Sequence, residues 1–280
     1  MMKLAFSTLG CPRWELEEVV RAAREYGYAG LELRALGGGL DLLARPEFAP
    51  AAIEGTRRRL EGQGLTVCCV DTSCVFHDTD AGERRRQVGV ALRHCELAAA
   101  LGSPLIRVFP DKIQEGATRE ETRGFVAESL RAVAERAPAG VRVGLETHGD
   151  FAAAHETVEI VRLAEHPSVA VIWDVANSFA AGGAVEEAAR DVAPHLAHVH
   201  LRDARPVEGR EHWLPVLAGR GRVPFDAAFD ALRSIGYEGF VSFEWEKYWN
   251  PEIEEPEVAL PDFATAASRL LRKDARVNEG

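Results

Sequence analysis

The sequence predicts an α/β fold, a single (β/α)8 TIM barrel. Eight short runs rich in Val, Ile, Leu or Phe read as strands buried on both faces. A helical pattern fills each gap between them, and strict β-α alternation favours a parallel barrel. The turn after the first run, Thr8-Leu9-Gly10-Cys11-Pro12, is not the Gly-x-Gly-x-x-Gly turn usual in the rival open doubly wound sheet. The length of 280 residues is close to the roughly 250 of such barrels. No linker, low-complexity tract or shift in composition divides the chain, so one domain is expected over 1–280. Its polar tail, about 273–280, should fray.

The predicted strands are 4–9, 30–35, 66–71, 104–109, 141–147, 169–174, 197–201 and 240–246. After the first, Leu16, Val19, Val20 and Ala23 form a helical stripe that Gly27 stops. Pro50 can occupy the first position of a second helix, with Ile53 and Leu60 on one side. Val88, Leu92, Cys95 and Ala99 stripe a third, ended by Gly102, and Phe125, Val126, Ser129 and Val133 a fourth, ending near Pro138. A weaker fifth carries Val158, Val161 and Ala164, and a sixth carries Val185, Ala188, Ala189 and Val192. Phe225, Phe229, Leu232 and Ile235 form the seventh, closed by Gly236, and Phe263, Ala267, Leu270 and Leu271 the eighth.

Composition narrows the class. Hydrophobic residues make up 46%, enough for a large core, yet no run approaches the roughly 20 apolar residues of a membrane span. The opening residues read as a strand rather than a secretory signal, and a cytoplasmic protein is expected. The five cysteines, odd in number and without Cys-x-x-Cys spacing, imply neither a disulfide framework nor a zinc ribbon. A net charge of −11 argues against nucleic acid as a partner.

Four of the last strands end in metal-binding residue types. They are Val143-Gly144-Leu145-Glu146-Thr147-His148, Val171-Ile172-Trp173-Asp174, His198-Val199-His200-Leu201 and Phe240-Val241-Ser242-Phe243-Glu244-Trp245-Glu246. In a parallel barrel these ends meet at the C-terminal mouth. Three carboxylates and an imidazole, Glu146, Asp174, His200 and Glu244, suit one divalent ion: Mn²⁺, Mg²⁺ or Co²⁺, with Zn²⁺ as a further candidate. Without a cation three converging acids would repel one another.

The same segments, with Trp173-Asp174-Val175-Ala176-Asn177, His198-Val199-His200-Leu201-Arg202-Asp203 and Gly236-Tyr237-Glu238-Gly239, resemble the xylose isomerase-like TIM-barrel superfamily, and within it the sugar phosphate isomerase/epimerase family. That resemblance implies that the four ligands hold one metal and that Glu146 and Glu244 also act as acid and base. It implies enediolate chemistry on a small sugar or polyol substrate: epimerisation if the proton returns to the same carbon, aldose–ketose isomerisation if it goes to the next. The match fails at one position. Many family epimerases have Asp-x-x-His where this chain has Asp174-Val175-Ala176-Asn177, and Asn cannot carry a proton at neutral pH. His148, two residues beyond Glu146 on the same side of a strand, offers an imidazole instead.

Asn177 and His148 are thus expected at the substrate, and Arg202, Arg205 and Lys247 as holders of a phosphate or carboxylate on it. His198 should lie one layer deeper than His200, at most as a hydrogen-bonding partner. Glu246 is the alternate ligand to Glu244, and Glu32 and Arg34 should form a ladder inside the barrel. Dehydration of a keto-polyol of the inosose type is the alternative on the same site. Abasic-site hydrolysis of the endonuclease-IV type would need more strand-end histidines and a basic face. A barrel that binds metal without turnover is opposed by the Glu146/Glu244 pair. A homo-oligomer is left open.

Overall fold

A computed structural model describes residues 1–210 and 212–272. The predicted tail, about 273–280, lies outside the described residues. The strands are β1 (Lys3–Ser7), β2 (Gly30–Leu33), β3 (Thr66–Val75), β4 (Leu105–Phe109), β5 (Arg142–Glu146), β6 (Val169–Asp174), β7 (Leu196–Leu201), β8 (Asp203–Arg205), β9 (Leu214–Val216) and β10 (Phe240–Phe243). The α-helices are α1 (Leu16–Tyr26), α2 (Ile53–Gly62), α3 (Ala81–Leu101), α4 (Arg119–Ala134), α5 (Ala154–Ala164), α6 (Val175–Ala180), α7 (Val185–Val192), α8 (Phe225–Ser234) and α9 (Pro256–Arg272). Strands β1 to β7 and β10 close a parallel barrel in the order β1-β10-β7-β6-β5-β4-β3-β2, whereas β8 and β9 form a separate antiparallel pair.

Local chemistry explains the helix ends. Glu15 and Glu18 form a capping box at the start of α1, and Gly27 ends it at φ 79°. Thr118 and Glu121 do the same for α4, and Asp80 caps α3. Pro50 does not open α2 as the sequence suggested. It lies in the turn before the helix, which starts at Ile53.

Period-two alternation divides the strands' side chains into two sets. Val70, Val108, Leu145, Trp173, Leu201 and Phe243 belong to the main apolar core. Burying each such side chain contributes about 1.5–3 kcal/mol. The other set carries Glu32, Asp71, Arg107, Glu146, Asp174 and His200, all buried. Deeper in this set, Cys69, Leu105 and Ile172 form a small apolar cluster of their own. Gly144 belongs beside it, because a Cβ there would lie 2.6 Å from Ile172 Cδ1. All five cysteines are buried and free. No described helix is long and apolar enough to cross a membrane.

Candidate metal centre

Parallel register sets the site. Asp174 stands opposite His200 across β6 and β7, and Ser242 opposite His200 across β7 and β10, so Glu244 follows one pleat further on. Ligand atoms of Glu146, Asp174, His200 and Glu244 all lie within 4.8 Å of one another, and all four residues are buried. Glu246 is outside this group. The residues fit a divalent cation, with three hard oxygens and one imidazole nitrogen. His200 Nδ1 is buried and has no hydrogen-bond partner. It faces Glu146 Oε2 at 3.7 Å and Glu244 Oε1 at 3.6 Å.

Each candidate ligand is held from behind. His200 Nε2 lies 2.9 Å from Glu32 Oε2, and His198 Nε2 lies 2.7 Å from the same oxygen. Such a carboxylate behind a ligating histidine fixes its ring and tautomer. His198 therefore sits beside Glu32 and His200, outside the four-donor group. Asp174 caps α6 by accepting from Asn177 N at 2.8 Å, and Thr147 Oγ1 accepts from Asp174 N at 2.8 Å. Burial pushes the Asp174 carboxyl up, but Arg202, His200 and the Asn177 amide outweigh it and hold the group below its usual range.

Two buried arginines brace the carboxylates. Arg107 Nη1 donates to Glu146 Oε2 at 2.8 Å and to Glu244 Oε1 at 3.3 Å. Arg202 Nη1 donates to Asp174 Oδ2 and, at 3.1 Å, to Glu244 Oε2, while its Nη2 donates to Asn177 Oδ1 at 3.0 Å and pairs with Glu246 Oε1 at 2.8 Å. Even so, Glu244 stands well above the usual carboxylate range. Burial is the main cause and the charges of Glu146 and Asp174 add to it, against His200 and Arg202. Burial would lower His200, yet Glu32, Glu244 and Glu146 raise it well above an ordinary imidazole.

Two of the four donors, Glu146 and Glu244, line a cavity of about 820 Å³, whose wall also includes Arg34, Arg107, His148 and Arg202. His148 Nδ1 is 3.5 Å from Asp111 Oδ1, and although burial opposes it, this carboxylate raises the imidazole pKa. Asn177 lines the cavity, but its amide is committed, with Nδ2 donating to Thr147 O at 3.2 Å and Oδ1 accepting from Arg202.

The structure does not bring the other two expected cations to this cavity. Lys247 Nζ donates to Pro251 O at 2.8 Å and Ile253 O at 2.5 Å and pairs with Glu255 at 2.9 Å, beside a separate small pocket. Its ammonium is drawn there by the carbonyls of its own loop. Arg205 ends β8 with its side chain exposed, because its neighbour Ala204 lines the cavity and the next side chain along a strand points to the opposite face. The sequence reading missed Arg107 and Asp71. The available signal was a lone charge inside each apolar run, between Ile106 and Val108 and after Val70.

A closed parallel barrel with three carboxylates and an imidazole at one mouth defines a class, the α/β barrels whose mouth presents donors suited to a divalent cation. The chain belongs to the xylose isomerase-like TIM barrel family, whose model matches residues 20–267. It is 24% identical to an inosose dehydratase of Erwinia tasmaniensis, over 98% of both chains. It is 25% identical to a 2-oxo-tetronate isomerase of Haemophilus influenzae, over 59% of this chain and 62% of that protein's length. The fold superposes on an L-ribulose 3-epimerase with a TM-score of 0.82, at 20% identity over 100% of this chain and 97% of the other.

Proposed function

We propose that the protein is a divalent-metal-dependent isomerase or epimerase of a small sugar or sugar derivative. The observation that carries this reading is the convergence of Glu146 and Glu244 with Asp174 and His200 at the cavity. A cation held by these four residues would supply Lewis-acid polarisation of adjacent carbonyl and hydroxyl oxygens, acidifying the neighbouring C–H. One glutamate, as carboxylate, takes that proton, and the other, as acid, returns a proton to the same carbon or its neighbour. The two come from β5 and from the residue after β10, with β6 and β7 between them in the barrel, so they approach a bound substrate from different strands. Arg107, donating to both, holds them in place.

Dehydration of a keto-polyol is the second reading, supported by the end-to-end match to an inosose dehydratase. There the C–H proton passes to a glutamate, the C–O bond to the β-hydroxyl breaks, and that oxygen leaves as water with a proton from the second acid. Incubation of Mn²⁺-loaded protein with ketoses, keto-acids and inososes in heavy water separates the two. Deuterium entering a product of unchanged composition supports isomerisation, and loss of one water supports dehydration. Neither deuterium uptake nor loss of water in any of them would overturn both.

A further inference from the structure

Of the buried arginines at the mouth, one pairs with no carboxylate among the described residues. Arg107 and Arg202 each hold at least two carboxylates. Arg34 follows the end of β2, fixed by its backbone N–H donating to Thr8 Oγ1 at 2.8 Å. Its side chain lines the cavity, the residue is only 4% exposed, and no carboxylate of a described residue pairs with it. Its guanidinium makes one hydrogen bond, Nη2 to Ser73 Oγ at 2.7 Å, and Ser73 is an exposed residue of the same wall. Burial and the nearby Arg107 charge lower the Arg34 pKa to about 10 against the more distant Asp71 and Glu244, so it is still a cation at neutral pH, with no carboxylate of a described residue within ion-pair distance. A desolvated guanidinium facing a substrate cavity is matched by an anion that arrives with the substrate.

We propose that Arg34, with Ser73 beside it, is a subsite for a carboxylate carried by the substrate, so that the protein acts on a sugar acid. This rests on the reading of the cavity as the substrate site. One planar fork and one hydroxyl match the charge and shape of a carboxylate. A phosphate would bring about 1.5–2 negative charges and three acceptor oxygens. The wall offers it no second uncommitted arginine among the described residues, since Arg210 pairs with Glu252.

The test is calorimetric titration of the Mn²⁺-loaded protein with four-, five- and six-carbon aldonates, the matching alditols, and alditol phosphates. At least one aldonate should bind about 10- to 100-fold more tightly than its alditol, the range of a charge-assisted hydrogen-bonded pair. Arg34→Gln should remove that preference and leave alditol binding unchanged, and Arg34→Lys should restore part of it. If no aldonate exceeds its alditol, if a phosphate is preferred over every aldonate, or if the preference survives in a folded Arg34→Gln protein, the inference is overturned. The wild-type comparison stands should that variant fail to fold. Deuterium exchange into a neutral ketose without any aldonate preference would remove this inference alone. Aldonate binding through Arg34 without exchange into any substrate would remove the isomerase reading and leave the subsite.

Discussion

The two halves of the barrel mouth present different groups. Strands β5, β6, β7 and β10 bring three carboxylates and an imidazole together. Strands β2, β3 and β4 bring Arg34, Ser73 and Arg107 to the same cavity. In the first half each side chain is tied to neighbours, as Asp174 is by Arg202, Thr147 and the start of α6. In the second, Arg107 reaches across to the acidic side, and Arg34 is left with one hydroxyl. The difference teaches a division of labour. On the proposed reading the acidic half holds a cation and exchanges a proton, and the basic half receives what is attached to the reacting carbons.

That division breaks most visibly at the proton. Glu146→Gln and Glu244→Gln, nearly isosteric, should each reduce turnover by about 10²–10⁴-fold at saturating Mn²⁺, because an amide cannot exchange the proton. Steady-state rates on the substrate identified by deuterium uptake check this, and near-native rates in both variants would end the two-carboxylate reading.

The arginines should separate next. In EDTA, Arg202→Met should cost about 3–5 kcal/mol in urea denaturation, since it strands buried carboxylates, and added Mn²⁺ should recover part of it. Arg34→Gln should cost at most about 1 kcal/mol, the net worth of one hydrogen bond. Equal losses would show that the two cations are structurally equivalent.

The histidines sharpen the acidic half. His198→Ala should weaken Mn²⁺ binding by about 10–100-fold, as expected of a residue behind the ligands, and His200→Ala by more. A calorimetric titration giving the reverse order would mean that the two imidazoles are misassigned.

The smallest response concerns the acids behind the arginines. Burial is the main cause that pushes the Asp71 carboxyl up to about 8, with Glu32 adding to it and Arg107, 3.6 Å away, opposing. A carboxyl raised on folding stabilises the native state below its unfolded pKa and loses that contribution as pH rises through the folded value. The metal-free protein should therefore lose thermal stability between about pH 4 and 8. Asp71→Asn, which mimics the protonated acid, should flatten that fall by a few degrees in Tm. An unchanged pH profile would mean that Asp71 is ionised in the folded protein.

Much of this was legible in the chain. Apolar runs such as Val169–Asp174 are strands because they bury both faces, and Gly27 and Gly102 end their helices in the left-handed conformation. The β8–β9 hairpin was not legible, since each of its strands is three residues long and leaves no periodic trace. Arg202 was expected at the substrate, but its contacts with Asp174, Glu244 and Glu246 depend on how three strands stand side by side.

By itself the sequence determined the barrel, the strand ends that carry Glu146, Asp174, His200 and Glu244, and the family, because strand period, capping and motif spacing are local. Only the tertiary structure decided that Glu244 rather than Glu246 joins the cluster, that Glu32 backs both histidines, that Lys247 bonds to its own loop, and that Arg34 bonds to Ser73 and to no carboxylate among the described residues. Those outcomes turn on which side chains meet across strands far apart in the chain. Charge pairing inside a barrel is fixed by register and depth, and neither is written in the order of residues along a single strand.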